Sequence, residues 1–416
     1  MLTYPHLHLQ SAFQEVASDQ RTASASDRFW FLFWLAGPFI YLIERTPADA
    51  WLTLLAIAFL IKCFRQFGWS WTKQLWVRAC LIFWVVCLVS AAASPMPFSS
   101  LGEAFVWIRF PLYAAAAQVW FGASRANRIL MLVSMSMAML VMTGILTVES
   151  IVEPKSRLSW PYGDLTPGNF LAKATLPAFT TLAAIAMSSA SLLSLIIGGA
   201  LLYSFGISIL AGERINMLIR LCSGFLAGLS WRPNLMLFIA GGCLVLLIIG
   251  SLFWLNPRVS ERLGSYFIEQ NPIYLETSPY WAVWRAGVLG FADAPLLGQG
   301  PGNLRYLCDS LPELNLPGYT DCDNHPHHFY FQLAGETGII GLATGMFVMG
   351  TIGWTCWRAR KFLSDCPMAA TAFIMPLAFF WPIQATADFF GQWNNLFMWM
   401  ALGFALMQNQ EWRKQA

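Results

Sequence analysis

Long apolar runs alternate with short polar connections from residue 29 to residue 408. A helix that crosses the hydrocarbon core of a bilayer needs roughly 17–25 largely apolar residues. About twelve runs approach or reach that length. They cover residues 29–46, 50–65, 78–95, 101–121, 128–149, 169–187, 191–210, 213–229, 234–254, 328–354, 368–386 and 393–408, the second, eighth and twelfth being short. The pattern predicts an all-α polytopic membrane protein. A polar tail (1–28) leads into spans one to nine (29–254), a large polar loop (255–327), spans ten to twelve (328–408) and a short tail (409–416).

The loop is too long for a simple connection, and loops of that length are usually functional or disordered. Trp281, Trp284, Phe291 and Tyr306 give it more aromatic character than a disordered segment carries. Residues 278–292 read as an amphipathic helix, followed by a Gly/Pro turn over 294–303. No internal repeat or low-complexity run is evident.

Composition agrees. The chain has 416 residues, 57% hydrophobic and 11% charged, against about 25% charged in a soluble domain. A net charge of +3 points to no nucleic-acid partner. Its distribution says more. Lys62, Arg65, Lys73, Arg78, Arg125, Arg128, Arg232, Arg358, Arg360 and Lys361 fall in one set of connections, joined by Arg21, Arg28, Arg413 and Lys414 at the termini. The alternate connections carry only Arg45, Lys155, Arg157 and Arg214 in their short loops. Positive residues stay cytoplasmic, so both termini are predicted to be cytoplasmic and the large loop to face the other side. Residues 1–28 lack the apolar core of a cleavable signal peptide. Of nine cysteines, all but Cys308 and Cys322 lie in or beside apolar segments.

Three of the five histidines, His325, His327 and His328, stand where the polar loop meets the tenth apolar run. Such a cluster suggests a metal site or a general base. Asp321, Asp323, His325 and His327 are the candidate ligands for a metal, but their spacing matches no zinc motif. Further into the run, Ala334, Gly338, Gly341 and Gly345 form a small-residue stripe that reads as helix packing. The general-base reading is joined by cations on the same side. Arg214 follows Ala211-Gly212-Glu213, and Arg285 follows Trp284 on the predicted loop helix. Arginine suits phosphate through its planar, always-charged fork. Arg109 in the fourth run and Lys173 near the outer end of the sixth are intramembrane charges, which mark function by default. Arg220 is ambiguous and reads equally as the end of a short helix.

These stretches together resemble the O-antigen ligase family, whose membership shades into the O-antigen polymerases. His327-His328, nine residues and then Gly338-Ile339-Ile340-Gly341 is similar to the family's His, amide or hydroxyl residue, nine residues and Gly-x-x-Gly. His328 departs from it, standing where Asn, Ser or Gln is usual. Trp284-Arg285-Ala286 running into 295–303, and Gly212-Glu213-Arg214, carry the rest of the resemblance. It covers about residues 150–350. It implies a GT-C-like bacterial inner-membrane glycosyltransferase with a periplasmic site and no metal or cofactor. The donor would be a glycan on undecaprenyl pyrophosphate, and the acceptor lipid A-core or another glycan. His327 would be the general base, with His328 in support. Arg214, Arg285, Arg109 and Lys173 would bind the donor. In an oxidising periplasm Cys308 and Cys322 are expected to pair. Ligation of O-antigen to lipid A-core is the first reading. Polymerisation from the same donor and passive transport of lipid or polysaccharide are the alternatives.

Overall fold

The computed structural model describes residues 9–155, 157–164, 166–261, 279–309, 325–362, 366–382 and 388–411. Among the described residues the chain is helical, with no strand. The main helices are α1 (Leu9–Thr22), α2 (Ala25–Ile40), α3 (Arg45–Lys62), α4 (Leu75–Ala93), α5 (Pro97–Trp107), α6 (Arg109–Val119), α7 (Arg125–Val152), α8 (Leu176–Ala186), α9 (Leu192–Leu210), α10 (Arg214–Ser230), α11 (Leu235–Leu255), α12 (Pro279–Asp293), α13 (Phe329–Phe362) and α14 (Gln392–Met407).

Six stretches are long and apolar enough to cross a membrane: Arg45–Phe67, Leu75–Ala93, Arg125–Val152, Leu192–Leu210, Leu235–Leu255 and Phe329–Lys361. The other predicted spans are also helical, but shorter or interrupted. The run at 101–121 is two helices, α5 and α6, meeting at Ile108. The run at 169–187 starts with a π-helical turn, Phe170–Ala174, before α8. The run at 368–386 holds Pro367–Thr371 and Ile374–Phe379. Proline lies inside or just after several of these interruptions, at Pro111, Pro177 and Pro376, where it removes a backbone donor.

Burial separates two kinds of apolar helix. Every residue of α14 from Asn395 onward is buried, so it is a core helix, packed against α6. Gly403 leaves room for the Tyr113 ring at this contact. No residue of α11 is buried, as expected for a helix whose neighbour is lipid. Trp34, Trp51 and Tyr113 pack edge-on or tilted at centroid distances of 5.4–6.0 Å near the start of the bundle.

The element that positions the site is α13, which does not run straight. Gly338 breaks it with φ 63° and ψ −167°. A break orphans carbonyls before it and N–H groups after it, and buried orphans must be satisfied. The turn after α12 does this. Gln299 and Gly300 donate their N–H groups to the carbonyls of Gly335 and Glu336, at 2.9 and 2.8 Å. The carbonyls of Pro295 and Leu296 accept from Ile339 and Ile340, at 2.9 and 3.4 Å. Ser90 of α4 donates to the carbonyls of Leu297 and Glu336, at 2.5 and 3.0 Å. The two backbones meet at Gly298 (φ 69°) and Gly338, where a Cβ would come within 2.3 Å of the opposite main chain. The predicted small-residue stripe is therefore corrected. Gly338 is the joint between α13 and the 295–300 turn, and a straight helical face does not run through it.

A candidate active site at the head of the broken helix

The predicted loop helix over 278–292 is α12, and it packs along the outer part of α13. Gly287 lies against the Phe331 main chain, close enough that a Cβ would come within 2.7 Å of the Phe331 oxygen. Trp284 consequently sets its ring 5.7 Å from the His328 ring, which also packs on Phe331 at 4.7 Å. The ring of His328 donates to the Pro382 carbonyl. His328 is thus fixed on both sides, by an aromatic face and a backbone acceptor.

His327 precedes α13 in the left-handed region, with φ 53°. Its ring lies 4.2 Å from that of His325. His325 faces Asp388, Nδ1 to Oδ2 3.7 Å. The other carboxylate oxygen of Asp388 accepts from Gln332 Nε2 at 2.8 Å and from the Phe390 N–H at 3.1 Å. The orientation of the Gln332 amide is fixed by chemistry: its oxygen accepts from the Phe389 N–H at 2.7 Å, so its nitrogen must face the acids. That nitrogen also reaches Glu336 Oε2 at 3.3 Å. Glu336 is buried beside the joint and accepts from the Gly302 N–H. A polar chain therefore runs from His327 through His325, Asp388 and Gln332 to the joint itself.

Burial governs the imidazoles. It pushes His327 down from 6.5 to about 4, the neighbouring His325 adds to the effect, and Asp388 opposes it. Burial also lowers His325, with Asp388 again opposing. At neutral pH His327 is the free base, the form that accepts a proton.

Cations surround the chain. Lys173 is buried on the π-helical turn, donating to Asn394 Oδ1 at 2.8 Å. Asn394 Nδ2 in turn donates to the Asp388 carbonyl at 3.1 Å. Lys173 is within electrostatic reach of His325 and of Glu213, the residue before Arg214. Glu213 is held by Asn169 at 3.4 Å and by Asn216. Arg305 donates to the Gly302 carbonyl at 2.8 Å, stands 3.6 Å from Glu103, and is within electrostatic reach of His325.

His327 is thus linked through His325 to Lys173 and on to Glu213, Arg214 opens α10 directly after Glu213, and Arg285 is half-buried next to Trp284. Arg109 is engaged elsewhere, 2.8 Å from Asp49, and braces α6 against α3. Arg220 does not mark a helix end. It is fully buried mid-helix, donating to the carbonyl and hydroxyl of Ser204 and lying over the Phe179 ring at 4.2 Å. Asp321, Asp323 and Cys322 lie outside the described residues, as does the side chain of Cys308.

Sequence reasoning passed over Asp388, Gln332, Glu336, Asn394 and Arg305. A signal was present for some. Gln332 and Glu336 are four apart in an apolar helix, and Asp388 is the only acid between Asp365 and Glu411.

Residues 199–346 match the family model described as O-antigen ligase. Over that stretch the chain is similar to the O-antigen ligase family. The match supports function of the ligase or polymerase type, and the family implies lipid-linked glycan substrates in general. The matched stretch contains Arg214, Arg285, His325, His327, His328 and both glycines of the Gly-x-x-Gly element. Lys173, Asp388 and Asn394 lie outside it and reach the site through the fold. No curated protein matches the chain.

Proposed function

We propose that this protein is an O-antigen ligase that transfers a glycan from undecaprenyl pyrophosphate to lipid A-core at the periplasmic face of the inner membrane. The observation that carries this reading is His327, a neutral imidazole at the outer head of α13, backed by His325 and the Asp388 carboxylate, with Lys173 and Arg305 within electrostatic reach of His325. His327 takes the proton of an acceptor hydroxyl as that oxygen attacks the anomeric carbon. The bond to the phosphate oxygen breaks with inversion, and its electron pair leaves with the pyrophosphate. Lys173, Arg214 and Arg285 stabilise the charge that develops there. No divalent metal is needed when fixed cations meet the pyrophosphate. The lipid tail stays in the bilayer, twelve helical segments form the bundle, and both termini are cytoplasmic.

The test is the lipopolysaccharide and lipid-carrier profile of a deletion strain. Long glycan left on the carrier, with none on lipopolysaccharide, is the ligase outcome. Single repeat units on lipopolysaccharide would assign polymerisation instead. Rescue with wild type but not with His327→Ala ties the activity to the base. In a purified system His327→Ala is expected to lower transfer by about 10²–10⁴-fold. Arg285→Lys keeps the charge but loses the planar fork, so transfer should fall; full activity would count against phosphate binding by Arg285.

A further inference from the structure

The proposed reaction leaves a proton on His327 in a half-buried place where a second imidazole stands 4.2 Å away. An isolated charge there is costly, so a counter-charge must be close. Among the described residues, Asp388 on the stretch before α14, Arg305, and Lys173 on the π-helical turn act on the histidine pair, while Glu103 and, within α13, Glu336 act on Asp388 and Arg305. Arg305 and Lys173 oppose a protonated pair. Glu336 is turned away, toward Gln332 and Gly302. Asp388 alone of these carboxylates comes within ion-pair distance of the pair, at 3.7 Å.

Its geometry is over-determined. Gln332 and the Phe390 N–H hold Oδ1, which leaves Oδ2 for His325. Gln332 is itself held by Phe389, and Asn394 ties the Asp388 carbonyl to Lys173. Gly391 leaves space for the carboxyl, since a Cβ there would overlap Asp388. Asp388 is also about one-fifth exposed, so it communicates with water as well as with His325.

We propose that His325 and Asp388 are positioning residues that receive the proton from His327 and pass it to solvent. This rests on the reading of His327 as the base. The acceptor O–H gives its proton to His327. After the new glycosidic bond has formed, the imidazolium proton moves to His325, stabilised by the Asp388 carboxylate, and then to water. The same arrangement resets His327 as a free base for the next turnover.

The experiment compares full-length wild type, Asp388→Asn, Asp388→Glu and His325→Gln in detergent or nanodiscs. The rate of transfer and the ring titrations of the five histidines are followed by NMR with isotope-labelled histidine. Asp388→Asn should lower transfer on the order of 10²-fold. It should also move the acid limb of kcat/KM downward by about one pH unit, because losing the carboxylate disfavours the imidazolium. Asp388→Glu should restore the limb, and His325→Gln should lower transfer without sensitivity to a further Asp388→Asn change. A purely structural role would lower activity and leave the limb in place, which would overturn the inference. So would an unchanged His325 and His327 ring titration in folded Asp388→Asn. Absence of transfer by the wild type would instead overturn the functional reading, because the ring titrations are read without turnover.

Discussion

His327 combines a left-handed backbone with a desolvated ring, and each has a measurable consequence. A non-glycine residue at φ 53° costs about 1–2 kcal/mol relative to right-handed geometry. Glycine carries no such cost, so His327→Gly should unfold no earlier than wild type in a thermal melt and still be inactive. Loss of stability in that variant would mean the ring holds the fold. The pH dependence follows from the lowered ring. The unfolded chain protonates His327 near 6.5, the folded chain only near 4. Stability is therefore full above about 6.5 and is lost as pH falls toward 4, since the unfolded state binds the extra proton. Activity follows the same group. The kcat/KM profile of the free enzyme should stay flat well below pH 6.5 and fall on approach to about 4. The kcat profile should turn down at a higher pH, because the anionic donor favours the imidazolium. A kcat/KM limb at 6.5 would show that the base is exposed.

Among the elements, the joint between α13 and the 295–300 turn is what holds the site. Gly338→Ala places a Cβ within 2.3 Å of the Leu296 main chain at a φ of 63°. It should cost about 3 kcal/mol or more, read as a large drop in melting temperature or failure to accumulate. Gly298→Ala should behave in the same way. Gly350 lies in the same helix with open space around it, so Gly350→Ala should stay within about 0.5 kcal/mol of wild type. Equal tolerance at Gly338 and Gly350 would dismiss the joint. The glycines themselves could be read from the sequence, and the loop helix and the start of α13 were predicted within a residue of their observed limits, though α13 runs to Phe362, past the predicted end at 354. Their contact could not be, because a glycine at a helical spacing is equally compatible with close packing of a straight helix and with a break. Only the partner backbone at 295–300 distinguishes them.

For the whole molecule, the charge pattern predicts orientation and the fold explains how so polar a cluster is tolerated. A reporter fused to the C-terminus should be active in the cytoplasm, and one inserted between residues 262 and 278 in the periplasm. The reverse result would put the histidines on the wrong face for the proposed donor. The bundle buries α6, α8 and α14 and leaves α11 on the outside. Interrupted helices are tolerated at membrane depth only where protein or water satisfies their backbone. This is the setting of Phe170–Ala174, which delivers Lys173, and of the stretch before α14, which delivers Asp388.

The sequence by itself determined the helical class, the membrane setting, the loop helix, the histidine cluster and the resemblance to the O-antigen ligase family. These depend on local periodicity, composition and contiguous motifs, which survive in one dimension. The tertiary structure decided that Gly338 is a break, that Arg109 belongs to Asp49 and that Arg220 is buried against Ser204. It also joined His325 to Asp388, 63 positions apart in the numbering (388 − 325). Such pairings depend on which helix ends meet at one surface. Hydropathy reports only how far each residue prefers to be from water, and so leaves that choice open.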